Sequence, residues 1–389
     1  MVDADVRRSE SRAHAVPAAK AVLAFATSVM VLSACQVESP INLQNIDDIP
    51  RFEGCDLNPS FLIAAAGRDQ IHSLDDPAWV QANVSVPDYL QPETRVIGVQ
   101  VFNVEYAMPV NVMWHHEIVN LDPGGPLGPQ LAVTYCPLTG STVVFDRKSI
   151  GGSTIGISGI LFMNNLVLFD RSGPTESLWP QMMGEARCGP QTGAQLGRHH
   201  FVEMEWGEWV ALHPETFVLA QDQGFDPIFF DYTWHGYPYG LYREDPLFWR
   251  ESIVMPPLDR RRFPKERVIG LLPTANDPGI AFPFGALTDP DGRFLTVDFQ
   301  YDGADAVVLW SDDAQGGSAY RPVTEDGDTL TFASTPFGIE DLETGSDWTV
   351  DGRAVAGPLA GARLLGIENA HTAFWGAWWA FNQSTRLWE

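Results

Sequence analysis

The sequence predicts a mainly β protein, a tandem duplication of a β-rich unit with one short helix per unit, and three observations predict it. Gly 35 and Pro 29 are plentiful and charged residues make up only 19%, which suits short strands and tight turns better than long surface helices. Apolar residues alternate in short runs bounded by Gly, Pro, Asn and Asp. The chain also matches itself: GEARCGPQTGAQL from Gly184 and GRAVAGPLAGARL from Gly352 agree at seven of thirteen positions.

At the N-terminus, Arg7, Arg8, Arg12 and Lys20 precede the apolar run AVLAFATSVMV, which closes in LSAC at Cys35. The run is too short to span a bilayer, so residues 1–34 are expected to be a lipoprotein signal peptide and Cys35 the lipidation site. The mature chain would then be extracytoplasmic, held on the lipid bilayer by its acyl chains. Gln36 after the cysteine favours the outer membrane if the cell has one. Residues 35–52 read as a polar tether.

The body divides into an N-terminal unit, 53–220, a connecting segment, 221–265, and a C-terminal unit, 266–389. WGEWVALHPET from Trp206 parallels WGAWWAFNQST from Trp375, and DRSGPTESLW from Asp170 parallels DLETGSDW from Asp341, in the same order. VIGVQVFNVEYAMP, NVMWHHEIV, QLAVTYC, STVVFD, TIGISGILF and NLVLFD read as strands, with DPGG, PLTG and MNN as turns. WGEWVALHP and WGAWWAFNQ read as short helices whose aromatics form a core stripe. GRHHFVEMEW puts His199 and His200 on an exposed turn.

The formal charge of -26 repels phosphate backbones and argues against a nucleic-acid partner. Beyond Cys35, three cysteines remain in a compartment where disulfides persist: Cys55, Cys136 and Cys188. The simplest arrangement pairs Cys55 with Cys188 and leaves Cys136 free or metal-bound, although spacing alone does not fix the connectivity.

YCPLTGSTVVFDR, WHHEIVN, SGILFMNNLVLFDRSGPTESLWPQ and GEARCGPQTGAQL, with YPYGLYRED and LDRRRFPKERVIGL, closely resemble the bacterial domain-of-unknown-function family 3179. The resemblance covers nearly the whole mature chain and implies a fold but no established activity. The family's usual HEIVND stands here as His116 to Asn120 followed by Leu121. Its frequent CPLCG stands as Cys136 to Gly140, with Thr139 in place of the second cysteine. A CxxC pair on this loop is thereby excluded.

If NVMWHHEIV and QLAVTYC pair antiparallel about Gly125, position 115 or 116 lies across from Cys136 and shares its face. The resemblance favours His116. Glu117 then points away, and Asp170 or Glu176 would supply the supporting carboxylate. A histidine beside the thiol makes a thiolate, which is a nucleophile and a soft metal ligand. The expected catalytic set is therefore Cys136, His116, Glu117, Asp170 and Glu176. The expected metal set, for copper or zinc, is Cys136, His116 and His115. The C-terminal unit lacks these groups, aligning Phe299-Gln300 with Cys136 and FPFGALT with WHHEIVN. The reading from another class is a non-catalytic envelope module whose groove between the units binds a polymer or a protein partner.

Overall fold

The alternation in RVIGVQV and VEYAMP becomes an antiparallel pair, Arg95–Val101 with Val104–Pro109, in register from Val96 opposite Pro109 to Val101 opposite Val104. In this computed structural model the described residues are 55–125, 128–220, 223, 236–288 and 292–389. The expected signal peptide, Cys35, the tether and most of 221–235 lie outside them. The described part is mainly β, and none of its helices is long and apolar enough to cross a membrane.

Two large sheets carry the core, and each takes strands from both ends of the chain. The first runs in the order Arg386–Leu387, Ile280–Pro283, Arg267–Leu271, Ala370–Phe374, Ser141–Asp146, Leu131–Cys136, Ile118–Leu121. The second runs Phe294–Tyr301, Ala304–Ser311, Gly316–Thr324, Val202–Glu205, Arg95–Val101, Val104–Pro109, Phe217–Leu219, Trp79–Gln81. Two seams join early to late segments, Thr372 opposite Thr142 in one sheet and Glu203 opposite Gly317 in the other. Two four-stranded sheets complete the β structure, one beginning at Leu62–Ala64 and one at Phe332–Thr335.

The same local devices recur in the two halves. Asp170 Oδ2 accepts from Ser177 N at 3.0 Å and Trp179 Nε1 at 2.9 Å, while Asp341 Oδ2 accepts from Ser346 N at 3.1 Å and Trp348 Nε1 at 2.9 Å. Helices Trp206–Leu212 and Trp375–Phe381 form where the sequence predicts them, and bury Trp209 and Trp378. Each of these indoles donates to a threonine, Trp209 to Thr216 and Trp378 to Thr385, both at 3.1 Å. Each also covers a strand glycine: a Cβ on Gly98 would lie 2.1 Å from Trp209, and one on Gly270 would lie 2.4 Å from Trp378.

Two expectations need correction. NVMWHHEIV is not a strand: Val110–His116 is a helix, ended by Glu117 at φ 54°, and only Ile118–Leu121 continues as strand. Pro109 ends the preceding strand, and Val112 and His116, like Val110 and Met113, have helical spacing and are buried together. Among the described residues the N-terminal unit therefore has two short helices rather than one, and the connecting segment adds Glu251–Val254.

The second correction concerns the residue corresponding to Cys136. Cys136 ends its strand opposite Ser141 across a four-residue turn, and Ser311 ends its own opposite Gly316 across another. The turn carbonyls behave alike, since Thr139 O accepts from Phe374 N and Ala314 O from Glu205 N, both at 2.8 Å. Ser311 therefore occupies the position corresponding to Cys136, one strand later than Phe299-Gln300. Following the same ladder, Tyr135 corresponds to Trp310, and Glu117, whose carbonyl accepts from Tyr135 N, to Leu295.

Candidate functional site

The helix at 110–116 changes which residue meets the thiol. Were the strand to continue past Ile118, the observed register would set His116 opposite Cys136. The helix instead turns His116 Nδ1 to His72 O at 2.9 Å. Burial lowers the pKa of His116, and it lowers that of His115 to about 4, so both imidazoles are neutral. Cys136 is buried, and its Sγ donates to Asn164 O at 3.7 Å. Burial, followed by the neighbouring Glu117, pushes the thiol up to about 11. Glu117, not His116, is the group that bears on the sulfur.

The other expected residues have separate tasks. Asp170 is held within its own turn by Ser177, Trp179 and the Ser172 N–H at 3.2 Å. Glu176 pairs with Arg68. Cys55 and Cys188 form a disulfide. Two further motif residues also hold the fold. Asn120 Nδ2 donates to Ile155 O at 2.9 Å and its Oδ1 accepts from Ile155 N at 3.0 Å, while buried Arg147 pairs with Asp122. Among the described residues no group of three or more His, Cys, Asp or Glu is arranged to hold a metal ion.

A different constellation forms around Glu117. Its backbone is left-handed, which costs a residue with a side chain about 1 kcal/mol. Its carboxyl is buried, and desolvation raises its pKa to about 8. Tyr239 lies close enough to Glu117, Cys136 and Tyr135 to feel all three, and burial raises its own pKa. Burial raises Tyr135 as well, and desolvation is the cause of the Glu117 shift.

The segment YPYGLY roofs this pocket. Tyr237 OH donates to Pro137 O at 2.8 Å, and Tyr242 OH donates to Leu138 O at 2.9 Å. Beneath the PLTG turn, the buried side chains of Thr134, Thr139, Ser141, Asn165 and Gln181 satisfy one another. Thr139, which stands where the family often has a cysteine, thus belongs to a closed polar network that fixes the turn.

Sequence reasoning missed two features. Arg95 and Arg267 converge on buried Glu203, Arg95 as a close ion pair and Arg267 Nη1 at 4.0 Å from Oε1. The signal was available, because PETRVIG from Pro92 and PKERVIG from Pro264 are a further internal match. The second feature is a cavity of about 160 Å³ at the seam, lined by Glu105, His199, Trp209, His213, Asp351 and Arg363 among others. His199 is not on an open turn: its Nε2 meets Gln100 O at 3.0 Å, and His200 Nε2 meets Ser318 Oγ at 2.8 Å. Burial lowers His200 to about 3.

These features define a class: a mainly β protein with interleaved sheets and a buried cluster of acid, thiol and phenol beside a tyrosine-rich segment. A family model described as "Protein of unknown function (DUF3179)" matches residues 68–385, and the chain belongs to that family. Comparison with curated proteins gave no match, and comparison with solved structures gave none either.

Proposed function

We propose that the chain is an extracytoplasmic lipoprotein, tethered through Cys35, whose N-terminal half binds a small ligand in the pocket of Glu117, Cys136 and Tyr239. The observation that carries this reading is the Glu117 carboxyl, buried, raised by desolvation and on a left-handed backbone, with Cys136 and Tyr239 close enough to feel its charge. Buried titratable groups with strongly shifted pKa values concentrate at functional sites. At neutral pH Glu117, Cys136 and Tyr239 are all protonated, so the pocket presents hydrogen-bond donors. The tether and the lipid anchor rest on LSAC and the apolar run before it.

A metal or thiolate role for Cys136 and His116 is the weaker reading, because it needs a deprotonated sulfur within reach of an imidazole. Elemental analysis of the mature protein is expected to find copper and zinc far below one per chain. With the thiol raised from 9.0 to about 11, alkylation by iodoacetamide should run about 100-fold slower than for a model thiol. Stoichiometric metal that is lost in Cys136→Ser would overturn the pocket reading in favour of the metal one.

We also propose that the body arose by tandem duplication. The paired Asp, Trp and Gly devices and the Cys136 and Ser311 positions support it. On that view the seam cavity lies between two copies. Its Trp209 wall favours a second reading, an envelope module that engages a polymer or protein partner there. Trp209 also fills the core, so the test is a rim change, Glu325→Gln, against binding of cell-wall polymer in a pull-down.

A further inference from the structure

The positive charge beside the Glu117 pocket is anomalous in a chain of net charge -26. Arg95 and Arg267 open corresponding strands and aim at the same carboxylate oxygen, Glu203 Oε1. The other oxygen, Oε2, is already taken, accepting from Thr142 Oγ1 at 2.9 Å and from Thr372 Oγ1. Arg243 stacks on the Tyr237 ring at 4.3 Å and lies 5.6 Å from the Trp114 ring. All three guanidiniums bear on Tyr135, and Arg95 and Arg267 are lowered by burial and then by repulsion.

The donors in this region outnumber the acceptors. Buried Arg95 Nε, Arg267 Nη1 and Trp114 Nε1 have no hydrogen-bond partner among the described residues. Glu205 is a further carboxylate felt by both Arg95 and Arg267. One buried carboxylate among three guanidiniums leaves fork-shaped donors unfilled, and such forks match planar or tetrahedral oxyanions.

We propose that Arg95, Arg243 and Arg267, around the Tyr135 hydroxyl, form a binding site for a small oxyanion, the carboxylate or phosphate group of a ligand whose remainder lies against Glu117 and Tyr239. This inference rests on the pocket reading above and names the class of ligand. Access is provided, since the Arg95 and Arg267 side chains are 16% and 21% exposed and Arg243 lies on the surface. The ligand must be small. The acidic surface that surrounds the site repels a polyanion over a Debye length, whereas a small anion feels the local field once inside. A metal cation is disfavoured by the same three charges.

The test is calorimetric titration of the full mature chain with inorganic phosphate and, separately, with succinate, at low and moderate salt. At least one should bind saturably, on the order of millimolar or tighter, weaken with salt and raise the melting temperature. Phosphate alone would assign a tetrahedral group and succinate alone a carboxylate. Arg243→Gln, which alters an exposed side chain, should weaken binding by about tenfold or more, and Arg267→Gln should do the same. The inference fails if neither anion binds, or if both variants bind as the wild type does. Its failure is separable from that of the pocket. If neither anion binds yet Glu117→Gln removes a loss of stability that the wild type shows between about pH 4.5 and 8, the oxyanion site falls and the pocket stands. If Glu117→Gln leaves the pH profile unchanged, the pocket falls, and the arginine variants alone decide the anion site.

Discussion

The two halves of the molecule solve the same structural problems with the same residues and differ where chemistry is possible. Each half locks a turn with a buried aspartate beneath an indole, and each seats a tryptophan on a strand glycine. At the end of the corresponding strands, Tyr135 and Cys136 stand against Trp310 and Ser311, and Glu117 stands against Leu295. Trp310 Nε1 is satisfied by Asp312 Oδ1 at 2.9 Å, whereas Tyr135 lies in the field of Arg95, Arg243 and Arg267. A scaffold position can therefore be polar without being reactive. Ser311 Oγ, which accepts from Ala314 N at 3.2 Å, is a turn brace, and Cys136 sits on the same brace. What has no counterpart is the buried acid, Glu117.

The comparison can be broken first at the glycines. Gly98→Ala and Gly270→Ala should each cost about 3 kcal/mol in denaturant unfolding, because a fully buried indole cannot yield to a new methyl group. A large cost at one and none at the other would mean that the halves do not pack alike. The turn aspartates come next. Asp170→Ala and Asp341→Ala each strand an indole N–H and a backbone N–H, for an expected loss of about 2–3 kcal/mol apiece.

Asp341 adds a pH signature. Although its burial opposes ionisation, hydrogen bonds from Trp348, Thr344 and Ser346 hold it below the usual carboxylate range. Its contribution is thus present above the unfolded value of 3.8 and is lost as pH falls through the folded one, a loss that Asp341→Asn should remove from an acid titration. The smallest effect belongs to Cys136→Ser, expected to change stability by about 1 kcal/mol or less, since serine already fills the corresponding position in the other half. Collapse of the fold in that variant would make the sulfur structural in a way Ser311 is not.

Much of this architecture was legible in the chain. Alternation and turn residues located the strands Leu131–Cys136, Ser141–Asp146, Ile155–Phe162 and Asn165–Asp170, because buried strands between tight turns have few alternatives. The tryptophan stripes marked both recurring helices. The segment 110–116 was misread because VNVMWHH satisfies a two-residue and a helical period equally well, and only the tertiary position of Pro109 decides between them. That single error transferred the partner of Cys136 from Glu117 to His116. Glu117 itself could not be weighed from sequence, since its significance lies in burial and a left-handed backbone. Arg95 and Arg267 stand on strands of different sheets and Arg243 in the helical turn Gly240–Arg243, so their convergence is tertiary and local patterning does not encode it.

The central claim is that Glu117 is a neutral acid in the folded protein. Its folded pKa of about 8 lies above its reference value of 4.5, so the native state keeps a proton that the unfolded chain releases. Stability should therefore fall as pH rises from about 4.5 to 8, by up to about 1.4 kcal/mol per pH unit from this group. The decisive measurement is urea unfolding of wild type and Glu117→Gln at intervals from pH 5 to 9. The account predicts that the wild type loses stability relative to the variant as pH rises, and that the difference levels off above about pH 8. Two curves that run parallel across the whole range would contradict it.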